Sequence, residues 1–100
     1  VGVVSDEDAL SYKRTPILTQ EERMAVVQGC RYADEVVSAQ LVLTEAFLRQ
    51  HRIDRVVHGD DSPQSEFYGV PLEMGIMEYL PYTKAVSTTH IIRRIRESAP

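Results

Sequence analysis

The chain has 100 residues, 43% hydrophobic and 26% charged, the balance of one soluble globular domain with room for a single core. A net charge of -4 and a pI near 5.3 argue against a broad nucleic-acid surface. The lone cysteine, Cys30, excludes an internal disulfide and a cysteine metal cluster, and no apolar run reaches the roughly 20 residues of a membrane span, so no membrane segment and a cytoplasmic location are expected.

Val1-Gly2-Val3-Val4 is apolar throughout and runs into Ser5-Asp6-Glu7-Asp8, the pattern of a buried parallel strand ending in a loop. Its sheet neighbours are expected earlier in the sequence, and residues 1–100 are read as a single, partial domain. Asp6 to Tyr12 fits one helical turn or a loop, and Pro16 turns Thr15 away from helix. Thr19-Gln20-Glu21-Glu22 matches a capping box and predicts a helix to about Arg31, with Met24, Val27 and Cys30 on one face and Cys30 in the core. A short strand follows around Asp34 to Val37. Thr44 then caps a helix through Phe47 and Leu48 to about His51, whose ring is expected to be solvated. Arg55 to His58 forms the next strand, ending in Gly59-Asp60-Asp61. This alternation predicts parallel βαβ units, with Val1–Val4, Glu35–Val37 and Arg55–His58 in one sheet.

Ser62 to Gly69 carries loop signals, and Pro71 opens a short helix through Leu72, Met74 and Ile76 that tolerates Gly75 at about 1 kcal/mol. Tyr79 to Thr83 reads as an edge strand, the place where Pro81 is tolerated. Ser87-Thr88-Thr89 stands where Ile91, Ile92 and Ile95 begin a helical stripe. Arg93, Arg94 and Arg96 complement the negative end of that helix. Its start is either an ordinary cap or, with Lys84 alongside, a cradle for phosphate. Parallel sheets take ligands at the carboxyl ends of their strands, which singles out Ser5-Asp6, His58 to Asp61 and the Ser87 helix start. His58, Asp60 and Asp61 match no strong metal-ligand spacing, and Ser87 with His90 lacks the acid and the elbow glycines of a nucleophilic pair. Phosphate handling is the chemistry that remains.

Six segments, in order, resemble the catalytic domain of the CTP:phosphoethanolamine and CTP:phosphocholine cytidylyltransferases: Val1 to Asp6, Lys13, Glu22-Arg23, Cys30 to Val37, Val57 to Asp61, and Val86 to Thr89. The resemblance implies a Rossmann-like parallel sheet flanked by helices, incomplete at the N-terminus. It implies transfer of CMP from CTP to a phospho-alcohol, giving a CDP-alcohol and pyrophosphate for phospholipid synthesis. Mg²⁺ is expected with CTP, as wherever a nucleotide triphosphate is used, and a homodimer is the expected assembly. Phosphoethanolamine is favoured over phosphocholine by Val57-His58-Gly59-Asp60-Asp61. On this resemblance Lys13 is the catalytic residue. Arg31, Asp60, Asp61, Lys84, Ser87, Thr88 and Thr89 attend the nucleotide, and Tyr68 attends the phospho-alcohol.

The chain also departs from that pattern. The region carrying the family's His-x-Gly-His motif is expected to lie before Val1, and the resemblance implies that a chain without it is catalytically deficient. Tyr82 stands where the family has arginine, Ala85 where it has glycine and His90 where it has an acid. Lys84 can replace the arginine's charge but not its bidentate geometry. Val86-Ser87-Thr88-Thr89 is also similar to the Ile-Ser-Ser-Thr motif of pantetheine-phosphate and nicotinamide mononucleotide adenylyltransferases. A non-catalytic, degenerate domain is the alternative from another class.

Overall fold

The computed structural model describes residues 1–60, 65–83 and 86–99. The chain runs β1 (Gly2–Val4), α1 (Asp6–Leu10), α2 (Gln20–Gln28), β2 (Val37–Ala39), α3 (Glu45–Gln50), β3 (Val56–Gly59), α4 (Ser65–Glu73), β4 (Met77–Leu80) and α5 (Thr88–Ser98). β1 pairs parallel with β2, from Gly2↔Val37 to Val4↔Ala39, and β3 pairs parallel with β4, from Val56↔Met77 to Gly59↔Leu80. This is an α/β fold of short parallel strands flanked by helices, consistent with a Rossmann-like arrangement. The expected single sheet is instead two separate pairs among the described residues. Between them lies a cavity of about 540 Å³ bordered by Gly2, Val4 and Ala39 of one pair and Val56, Val57 and His58 of the other.

The helix starts follow from local chemistry. Thr19 Oγ1 accepts from the Glu22 amide at 3.2 Å while the Glu22 carboxylate accepts from the Thr19 amide at 3.0 Å, completing the expected capping box. Thr44 caps α3 through the Phe47 amide, and Ser87 caps α5. Ser5 caps the short α1, which makes the Asp6 region a helix and not a loop.

Elsewhere tertiary context shifted the boundaries. α2 stops at Gln28 because Gly29 is a poor helix former, and Cys30 beyond it is exposed, not in the core. β2 begins at Val37 instead of Asp34, its first amide donating to the Val1 carbonyl at 2.9 Å. α4 contains Pro71 in its interior: the helix is broken at Tyr68 (φ -114°, ψ 21°), so Pro71 falls in the first turn after the break, where no intrahelical donor is required of it. Gly75 lies outside the helix with φ +72°. The Ile76 amide bonds the Pro71 carbonyl and the Gly75 amide that of Leu72, the left-handed termination for which glycine is suited. Ile76 therefore leads into β4, which ends before Pro81.

Burial is sparse. Val3, Ala9, Leu48 and Pro71 are the buried apolar residues among those described. The radius of gyration of 15.1 Å exceeds the ~13 Å typical of a compact domain of this length. Parallel strands are ordinarily covered on both faces, yet Val57 in β3 is 50% exposed. His51 is half-buried, its ring 4.5 Å from that of Phe47, where a solvated side chain was expected.

Candidate functional site

The start of α5 is assembled from two distant parts of the chain. Ser87 is extended (φ -146°, ψ 156°), and its Oγ accepts from the His90 amide at 3.1 Å. A hydroxyl used as an acceptor still has its proton to donate, so capping leaves one O–H for a ligand. The first turns of α1, α2 and α3 all carry acidic residues, as the positive end of a helix favours; the first turn of α5 carries none. Cations stand there instead. Arg14 Nη2 donates to Thr89 Oγ1 at 2.7 Å, and Lys13 and Arg14 border the same cavity as Thr88. That cavity measures about 420 Å³, with Val4, Ile91 and Ile92 supplying apolar wall. Two cations beside a helix N-terminus repel its dipole unless an anion lies between them, whereas a phosphate satisfies all three at once.

The segment carrying Lys13 and Arg14 is pinned at both ends. At one end the Lys13 amide bonds the Ala9 carbonyl, and Ala9 is buried. Asp8 Oδ2 takes the Leu41 amide at 3.2 Å, which ties α1 to the chain after β2. At the other end Arg23 holds the Leu18 carbonyl through Nε and Asp6 through Nη2 at 2.6 Å. Lys13 Nζ lies 5.2 Å from the centroid of the Tyr12 ring.

Tyr12 faces the other cavity, between the strand pairs, together with His58 and Tyr68. The two cavities share Val4 at the end of β1, so Lys13 and Tyr12 look into adjoining spaces. The Tyr68 ring lies 5.1 Å from that of His58. Partial burial raises the Tyr68 phenol above its usual 10.0, with Tyr12 and Tyr79 adding to the shift. His58 Nδ1 is 2.8 Å from the Gly59 carbonyl.

A cytidylyltransferase-like family model matches residues 1–94. The chain belongs to the cytidylyltransferase-like family. It is 43% identical over 101 residues to choline-phosphate cytidylyltransferase A of Rattus norvegicus, covering 95% of this chain and 27% of the relative. It is 34% identical over 104 residues to the ethanolamine-phosphate cytidylyltransferase of Arabidopsis thaliana, and 36% over 100 residues to that of Mus musculus, each covering 95% of this chain and 25% of the relative. The chain thus spans about a quarter of the length of these relatives.

Among the residues that the sequence singled out in this cytidylyltransferase-like chain, Lys13 and Thr88 border one cavity, and Ser87 and Thr89 flank Thr88 at the α5 start. Asp60 accepts the Tyr82 amide through Oδ1 at 3.0 Å, which ties the end of β3 to the chain leading toward α5. Tyr68 lines the other cavity. Arg31 is exposed in the turn after α2, its guanidinium donating to the Tyr32 hydroxyl and lying 4.7 Å from that ring's centroid; it borders neither of these cavities. Asp61 and Lys84 lie outside the described residues. Arg14 is the residue that sequence reading missed. Its one signal was its place beside Lys13 in a segment closed by Pro16, and nothing local pointed across to Thr89. Among the described residues no three or more of His, Cys, Asp and Glu gather as a metal site, and no helix is long and apolar enough to cross a membrane.

Proposed function

We propose that this chain forms the nucleotide-binding part of a cytidylyltransferase that transfers CMP from CTP to phosphocholine or phosphoethanolamine. The observation that carries the reading is that Lys13 and Thr88, far apart in sequence, border one cavity at the capped start of α5. An oxygen of the phospho-alcohol's phosphate bonds to the α-phosphorus of CTP, the bond from that phosphorus to the β-phosphate oxygen breaks, and pyrophosphate leaves. Such transfers are accelerated chiefly by positioning and by charge stabilisation, and the attacking oxygen is already anionic. Lys13 neutralises charge on the reacting phosphates. Ser87, Thr88 and Thr89 hold phosphate oxygens with hydroxyl and backbone donors, and the Asp60 loop and Arg31 are assigned to the nucleotide through the resemblance alone. Mg²⁺ is taken to come with CTP as part of the substrate; among the described residues the polar side chains that border this largely apolar cavity are Lys13, Arg14, Thr15, Arg23 and Thr88. The aromatic cavity of Tyr12, Tyr68 and His58 suits the ammonium end of the phospho-alcohol.

The proposal includes assembly as a homodimer; sedimentation giving a particle of 11.3 kDa refutes that part. Calorimetric titration tests the nucleotide. CTP should bind at least roughly tenfold more tightly than ATP, a difference of about 1.4 kcal/mol. Preference for ATP favours an adenylyltransferase, and the absence of binding to either nucleotide overturns the reading. Titrating phosphocholine and phosphoethanolamine in turn identifies the alcohol.

A further inference from the structure

The arginines of this chain are differently employed. Arg23, Arg49 and Arg55 each pair with a carboxylate, Asp6, Glu45 and Glu78 respectively. Arg14 has no carboxylate partner among the described residues; its one recorded acceptor there is the neutral Thr89 hydroxyl, and it borders the cavity that also takes in Lys13 and Thr88. A guanidinium has five N–H donors in a planar fork, and a single bond to Thr89 leaves the rest for a planar or tetrahedral anion. Because Thr89 Oγ1 is the acceptor in that bond, its own proton is directed elsewhere and can be given to the same anion.

We propose that Arg14 is a further nucleotide-binding residue: its guanidinium contacts the triphosphate directly, and its bond to Thr89 holds the α1–α2 segment and the α5 start at the spacing the phosphates require. This rests on the cytidylyltransferase reading above. Arg31 also donates to a neutral hydroxyl, but to that of its own neighbour Tyr32 and away from both cavities, whereas Arg14 reaches Thr89 across the fold at the edge of the cavity that takes in Lys13 and Thr88. A guanidinium left with a neutral partner beside Lys13 keeps its charge available for a ligand. The role is specific to the phosphates, since the cytosine and ribose of the nucleotide give a guanidinium no charge to neutralise.

The test is calorimetric titration of the parent, Arg14→Ala, Thr89→Val and Lys13→Ala proteins with CTP and with cytidine, alongside ligand-free melting. Loss of a charge-assisted contact corresponds to about a tenfold to hundredfold rise in Kd. Arg14→Ala should show that rise for CTP, with cytidine binding unchanged and a melting temperature no lower than that of Thr89→Val, which loses the same tether. Thr89→Val, which removes the tether and one neutral donor but leaves the cation, should show a smaller rise than Arg14→Ala, and a rise equal to or larger than that of Arg14→Ala overturns the direct contact. Equal weakening of CTP and cytidine, or a CTP affinity like the parent's, overturns the assignment. If Lys13→Ala weakens CTP while Arg14→Ala does not, only the Arg14 inference fails; if the parent binds no CTP, the functional reading fails with it.

Discussion

Ser87 has two roles that a truncation to alanine would confound. Its Oγ caps α5 by accepting from the His90 amide, and its proton is assigned to a nucleotide phosphate. Ser87→Ala loses the cap, about 1 kcal/mol, together with the donor. The cap matters here because α5 packs lightly: Ile91 is 44% and Ile95 64% exposed. Ser87→Asp separates the roles. Aspartate is as good a cap as serine, and its charge adds about 0.3–1 kcal/mol against the positive end of a helix whose first turn has no acid. Far-UV circular dichroism and thermal melting should therefore match or exceed the parent. Yet the carboxylate has no proton to donate and repels phosphate, so CTP binding should weaken by at least the ~1.5–3 kcal/mol of a charged hydrogen bond, roughly 10- to 150-fold in Kd. Ser87→Asn, which keeps both an acceptor and a donor, should bind CTP closer to the parent. If Ser87→Asp retained parental CTP affinity while keeping its helix, Ser87 would be an ordinary cap and the phosphate role would be refuted.

Other positions give independent checks. An added Cβ at Gly2 would lie 2.7 Å from the Ala39 Cβ, both fixed to paired backbones, so Gly2→Ala should destabilise the protein by about 1–3 kcal/mol in urea unfolding, and an unchanged midpoint would count against the β1–β2 register. The Tyr68 phenol is raised above 10.0 by burial, so the folded state holds this proton more tightly than the unfolded. Its contribution is full below the unfolded value and is lost as pH rises through the folded one. Tyr68→Phe should flatten that part of the alkaline stability decline and remove a late component from the ultraviolet titration of the tyrosines; identical alkaline profiles for the two proteins would argue against its burial.

What the sequence made legible was local. Thr19 with Glu22, Thr44 and Ser87 act on amides three residues away, so their caps could be read without knowing the fold, and three helices start where they indicate. The parallel alternation was legible for a similar reason, since apolar runs too short for helices lay between capped segments. Pro71 misled because its effect depends on the break at Tyr68, and Cys30 misled because an apolar periodicity cannot show that its helix has already ended at Gln28. The division into two strand pairs is a property of edges and not of runs. The same distinction governs the candidate site. Lys13 and Thr88 were each visible as residue types, but neither could show that the other borders the same cavity. The Arg14–Thr89 bond, 75 residues apart in sequence, exists because α1 is held by Asp8 to Leu41 and by Asp6 to Arg23, contacts that no periodicity encodes. A phosphate reading of the α5 start therefore gains its weight from the placement of cations that belong to another segment.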